Sequence, residues 1–300
     1  MKITRFLNRV ATAVVVSLVS VSAGAALIVD NATLDLRGLD GLSATDSNYL
    51  IQGIDAFGFN DAPIHVIQSG LTPGSTFNVD GKGNVSSYVN DVTGTISAPL
   101  LNYDGSFLGL AGYELTFTFS VNGVNTGFDP LTGIVNFDHT GGMLSLYLDN
   151  LSNGGKATPG TGAGYNDGIL LATFDVLLVG NDGGSFNTIT LDGSDDITFV
   201  LTYNLGALQD SFGNALLPGY TLAFSDSNFD ADSNNNGLLD ETRGGFGCSS
   251  TNQTLLNFCA AEDGTVRLAT QQIPEPGALS LAALGLLGVG AASRRRKQRQ

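Results

Sequence analysis

Residues 113–121 read Tyr-Glu-Leu-Thr-Phe-Thr-Phe-Ser-Val, and their alternation decides the fold class. Tyr113, Leu115, Phe117, Phe119 and Val121 fall on one face, while Glu114, Thr116, Thr118 and Ser120 fall on the other. A period of two is that of a strand with one buried face. Met143–Asp149 repeats it through Leu144, Leu146 and Leu148, and Ile197–Tyr203 through Ile197, Phe199, Leu201 and Tyr203. Ile169–Val179 is almost continuously apolar and predicts a central strand. Shorter strands are predicted at Tyr49–Phe57, Ile64–Gln68, Thr76–Val79, Val92–Ser97, Gly133–Asp138, Thr188–Leu191, Tyr220–Phe224 and Thr265–Thr270. Asp80-Gly81, Asn122-Gly123, Asn153-Gly154-Gly155, the run from Asn181 to Gly184 and Asp192-Gly193 read as turns between them. No apolar repeat of 3.6 residues is sustained, and no repeat of fixed period is present. The pattern predicts an all-β domain, an antiparallel β-sandwich of the jelly-roll kind.

Both chain ends depart from this pattern. Lys2, Arg5 and Arg9 precede an apolar run, Val10–Val21, and the small residues Ala23-Gly24-Ala25. That order predicts a secretory signal peptide over residues 1–25, with an N-terminal signal helix. At the other end, Pro274-Glu275-Pro276 is followed by an apolar run, Gly277–Ala292, and by Arg294, Arg295, Arg296, Lys297 and Arg299. At 1.5 Å per residue the run spans about 24 Å, short of the roughly 30 Å hydrocarbon core of a bilayer. The basic end would stay on the cytoplasmic side. Residues 26–272 remain for the β domain, and 273–300 form the tail. Ser152–Asp167, rich in glycine, reads as a long surface loop within one domain.

The tripeptide, short helix and terminal arginines together resemble the PEP-CTERM sorting signal of Gram-negative bacteria. The resemblance implies that an exosortase recognises Pro274, Glu275 and Pro276 and removes a transmembrane helix inserted only in transit through the inner membrane. It further implies release to the cell surface or the exopolysaccharide matrix. Ile169–Val179 with the following Asn181-Asp182-Gly183-Gly184 is similar to flocculation-associated PEP-CTERM proteins, which implies a role in biofilm or floc.

Charge narrows the partners. The whole chain carries −15, from 13 basic and 28 acidic residues. Eight of the basic residues lie in the two ends, leaving Arg37, Lys82, Lys156, Arg243 and Arg267. Only Glu275 is lost from the acids, so the domain carries five basic against 27 acidic residues, a charge of −22. Binding phosphate depends on Lys and Arg, so nucleic acid is not a partner. Cys248 and Cys259 lie eleven residues apart and suit an oxidising compartment. A bridge between them would contribute about 3 kcal/mol in the chain-entropy model; two buried free thiols are the alternative.

One stretch has the order of a Ca²⁺ loop. Counting Asp232 as position 1, Asn234 and Asn236 follow at 3 and 5, Gly237 at 6, the Leu238 carbonyl at 7 and Asp240 at 9. That order wraps Ca²⁺ in hard oxygens and resembles the loops of EF-hand, dockerin-like and thrombospondin type 3 repeats. Position 12 is Arg243 in place of the bidentate Glu, with Glu241 or Asp230 left to complete the shell. A solvated polar loop is the alternative. Asp182, Asp192, Asp195 and Asp196 match no ligand spacing and read as polar hairpin tips. His65 and His139 read as solvent-facing or loop residues. No serine elbow, zinc-binding His-Glu-x-x-His, Walker loop or dinucleotide fingerprint is present, so no catalytic residue is assigned. The expected function is that of a non-enzymatic surface or matrix protein. A calcium-dependent, lectin-like carbohydrate-binding module and a secreted hydrolase are the competing readings.

Overall fold

A computed structural model describes residues 27–28, 31–96, 101, 112–151, 157–158, 161–178, 182–232 and 237–270. Residues 28–269 form one compact unit. Among the described residues no helix is long and apolar enough to cross a membrane. The two expected terminal helices lie outside the described residues.

The strands are β1 (Leu27–Ile28), β2 (Ala32–Asp35), β3 (Leu50–Ile54), β4 (Ala56–Gln68), β5 (Thr76–Asn90), β6 (Gly94–Ile96) and β7 (Tyr113–Asp129). They continue with β8 (Ile134–Asn150), β9 (Ile169–Val176), β10 (Gly183–Asn187), β11 (Asp192–Asn204), β12 (Leu208–Gln209), β13 (Tyr220–Asp230) and β14 (Asn257–Thr270). The all-β, antiparallel reading holds. Its finer form changes. Neighbours run β4, β5, β7, β8, β10, β11, β13, β14, and β14 pairs again with β4, so one sheet closes on itself. β9 takes the place between β8 and β11 at the end opposite β10. A small second sheet, β12–β2–β3, packs Leu34, Ile51 and Ile54 into the main core.

The two expected sheets are therefore walls of one, because the strands are longer than the sequence suggests. β7 and β8 each run 17 residues, bent by register shifts at Asn122/Gly123 and Asn125/Gly127. Such bulges add twist and let a sheet curl. Tyr49–Phe57 and Ile64–Gln68, read as two strands, mostly belong to β3 and the single strand β4. Thr188–Leu191, read as a strand, is a turn: Asn187 Oδ1 accepts the Ile189 and Thr190 amides at 2.9 and 3.2 Å.

Several expected glycine turns lie inside strands. In register, Gly81 faces Phe119, Gly83 faces Phe117, Gly123 faces Phe77 and Gly193 faces Phe229. A Cβ at these glycines would fall 2.1, 2.5, 2.1 and 2.3 Å from the facing ring. Each glycine is the seat on which a neighbouring strand lays an aromatic side chain, a device that pins register. The rings fill the space inside the closed sheet. Phe186 stacks on Phe229 and Phe258 at 5.7 and 5.0 Å.

Candidate functional site

The outward face of β5, β7 and β8 is the chemically distinctive surface. Facing rows cross the three strands: Asp80, Ser120 and Met143; then Lys82, Thr118 and Ser145; then Asn84, Thr116 and Tyr147. The described residues of the 157–167 segment lie over the last row. Tyr165 O accepts from Thr116 Oγ1 at 2.9 Å, and Glu114 accepts from the Ala157 amide at 2.6 Å and from Asn84 Nδ2 at 3.1 Å. Glu114 and Thr116, polar positions expected to meet solvent, are consequently 0 and 1 % exposed. The glycine-rich stretch, where described, is a fitted cover.

Beyond this cover the face opens into a groove of about 310 Å³. Its floor is the Asp80 and Lys82 rows, and its walls are Gly162, Tyr165 and Asn166 on one side and Phe246 on the other. Lys82 Nζ donates to the Gly162 carbonyl at 3.2 Å and lies 4.3 Å from the centre of the Phe246 ring. Burial lowers its pKa, with the nearby Asp80 charge acting the other way. The two walls meet backbone to backbone: a Cβ on Gly162 would lie 1.9 Å from Gly244 O, and one on Gly245 2.0 Å from Thr161 O.

Phe246 is held in place from behind. Its ring stacks on His65, 5.5 Å between centres, and His65 Nε2 donates to Asn257 Oδ1 at 2.7 Å. Two residues on, Cys248 is bonded to Cys259 of β14, the register partner of His65. His65, Cys248 and Cys259 converge within ligand distance, but the bonded sulfurs offer no thiolate to a metal. Arg243 bonds Glu241 through Nε and Nη2 at 3.0 and 2.9 Å and Asp61 through Nη1 at 3.0 Å. Position 12 of the supposed calcium loop thus clamps this wall to β4.

That clamp corrects one expectation for the loop. Burial opposes ionisation of Glu241, but its bonds with Arg243 outweigh this and hold the carboxyl below its usual range. Glu241 is engaged there and is not left to complete a calcium shell. Of the other expected ligands, Asn234 and Asn236 lie outside the described residues. The Asp232 carboxylate accepts the Gly237 amide, and the Asp240 amide donates to Ala231 O at 3.1 Å. Asp230 is pushed up first by burial and then by the charges of Asp232, Asp192 and Asp240. Crowded carboxylates of this kind are the chemistry a hard divalent cation neutralises.

The second histidine is also placed differently from the reading of the sequence. His139 is buried; its Nε2 lies 2.7 Å from Asp195 Oδ1, and its Nδ1 has no hydrogen-bond partner among the described residues. Asp195 lies within β11 and not at a hairpin tip. The pair borders an interior cavity of about 50 Å³, walled by phenylalanines, which is below the size of small-molecule sites.

Residues 272–297 match the family model of the PEP-CTERM protein-sorting motif. The chain therefore carries the signal of an exosortase-sorted, exported protein, and the signal implies a surface or extracellular location after processing. Pro274, Glu275 and Pro276 fall within the match and outside the described residues. No curated protein and no solved structure matches the chain.

Proposed function

We propose that the chain is a non-enzymatic protein of the extracellular matrix, delivered by its sorting signal and held among exopolysaccharide in biofilm or floc. The observation that carries this reading is the sorting motif at residues 272–297, joined to a compact β unit with a polar outward groove. Replacing Pro274, Glu275 and Pro276 together by alanine tests it. The variant is expected to stay with the inner membrane, uncleaved, and flocs are expected to weaken. Unchanged release and flocculation would contradict the reading.

Ca²⁺ is proposed as a structural ligand of the 232–240 loop, through Asp232, Asn234, Asn236, the Leu238 carbonyl and Asp240. The crowding of Asp230 by Asp192, Asp232 and Asp240 supports it. Isothermal titration should give heat at millimolar Ca²⁺, and its absence would remove the ion from the account. A carbohydrate-binding role is the second reading, favoured by the groove at Lys82. Among the described residues none of the proposed calcium ligands lines that groove, so sugar binding there is expected to survive chelation.

A further inference from the structure

We propose that the groove between the 157–167 segment and Phe246 binds a carboxylated sugar unit, with Lys82 taking the carboxylate. This ligand class rests on the matrix role proposed above. The first observation is the state of the cations. Among the described residues Arg37 is paired with Asp35, Arg243 with Glu241 and Asp61, and Arg267 with Asp91, whereas Lys82 forms no ion pair. Asp80, on the same groove floor, is the nearby acid, and it acts on Lys82 without closing to an ion pair. The Lys82 ammonium has one carbonyl and an aromatic face, and it borders the groove.

The rest of the lining selects the ligand. Thr118, Ser120, Ser145 and Asn166 offer hydroxyls and an amide, the donors and acceptors that sugar hydroxyls require. Phe246 supplies an apolar wall. The volume, about 310 Å³, falls within the range of small-ligand sites, roughly 300–1,000 Å³. An extended acidic peptide fits less well, because peptides commonly add to an exposed strand edge and β5, β7 and β8 each have a paired neighbour on both sides. Repulsion from the acidic domain, Asp80 on the groove floor included, opposes any polyanion, so the attraction rests on Lys82 and a short oligouronate is the suitable probe.

The test uses the mature protein recovered from the cell surface. Its affinity is measured for an oligouronate, a neutral oligosaccharide of equal length and an acidic peptide, with and without chelator. The oligouronate should bind at least tenfold more tightly than the other two, with chelator making no difference. Lys82→Met should lose at least tenfold for the oligouronate. Met143 lines the groove and is 50 % exposed, so Met143→Trp should block the groove without disturbing the core, and it replaces Lys82→Met if that variant fails to fold. Equal binding of the neutral sugar or the peptide, no binding of the oligouronate, dependence on calcium, or wild-type affinity in a folded variant would each overturn the proposal. Retention of the wild-type protein on matrix polysaccharide separates the two readings. Retention without oligouronate binding would leave the matrix role standing and remove the groove; loss of retention would remove the matrix role.

Discussion

Glu114 and Lys82 project from the same outward face of adjacent strands, and both are charged side chains drawn away from water. They have opposite surroundings. Glu114 is 0 % exposed and accepts from the Ala157 amide and the Asn84 side chain. Lys82 opens onto a groove and forms no ion pair among the described residues. A buried charge surrounded by donors fastens a cover, because removing it strands each donor without a partner. A cation beside a cavity with no carboxylate at ion-pair distance, Asp80 acting on it only from further off, has room to receive one. The two ends of one surface thus divide into a structural and a receptive half.

The comparison can be broken at its structural half first. Glu114→Ala leaves the Ala157 amide and the Asn84 side chain without that acceptor, and should lower stability by about 3 kcal/mol, read by denaturant unfolding. A loss under about 0.5 kcal/mol, the level of ordinary surface substitutions, would mean the cover is held by other contacts. The seam between the walls comes next. Gly245→Ala places a Cβ against Thr161 O, at a φ of 65° that L side chains rarely adopt. It should cost about 1–2 kcal/mol and should weaken oligouronate binding more than a distant substitution of equal cost.

The smallest effect is one of pH and concerns a third charge on this face. Asp149 is the register partner of Glu114, but its Oδ2 has no hydrogen bond among the described residues. Burial, then the charges of Asp167 and Asp40, push its pKa to about 6. The folded form holds a proton there that the unfolded chain, with an ordinary carboxyl, releases below that pH. Stability from this group therefore rises as pH falls from about 6 towards 4. The melting temperature should be higher at pH 5 than at pH 7, and Asp149→Asn should shrink that difference. An unchanged difference in the variant would assign the effect to other groups.

How much of this could be read in the chain follows from the range of the interactions. The alternation of Tyr113–Val121 gave the inner face correctly, because alternation is a local property of strands. The outer face could not be assigned from it: Glu114 and Thr116 are buried by a segment about 45 residues further along. Asn122-Gly123 and Asp80-Gly81 have the composition of turns but are seats for Phe77 and Phe119, a role fixed by the facing strand. The sorting signal was legible because it is a linear motif. The groove was not. Lys82, Tyr165 and Phe246 carry no spacing, and the nearest signal in the sequence was the scarcity of cations in an acidic domain.

The most direct test of the receptive half is the side-chain pKa of Lys82, followed by NMR of its labelled ammonium in the mature protein. Without ligand it should lie below the ordinary lysine value, because burial is opposed only by the charge of Asp80. Saturation with the oligouronate should raise it, since a carboxylate beside the ammonium favours the charged form. A pKa that is ordinary in the free protein, or that does not move on saturation, would contradict the account.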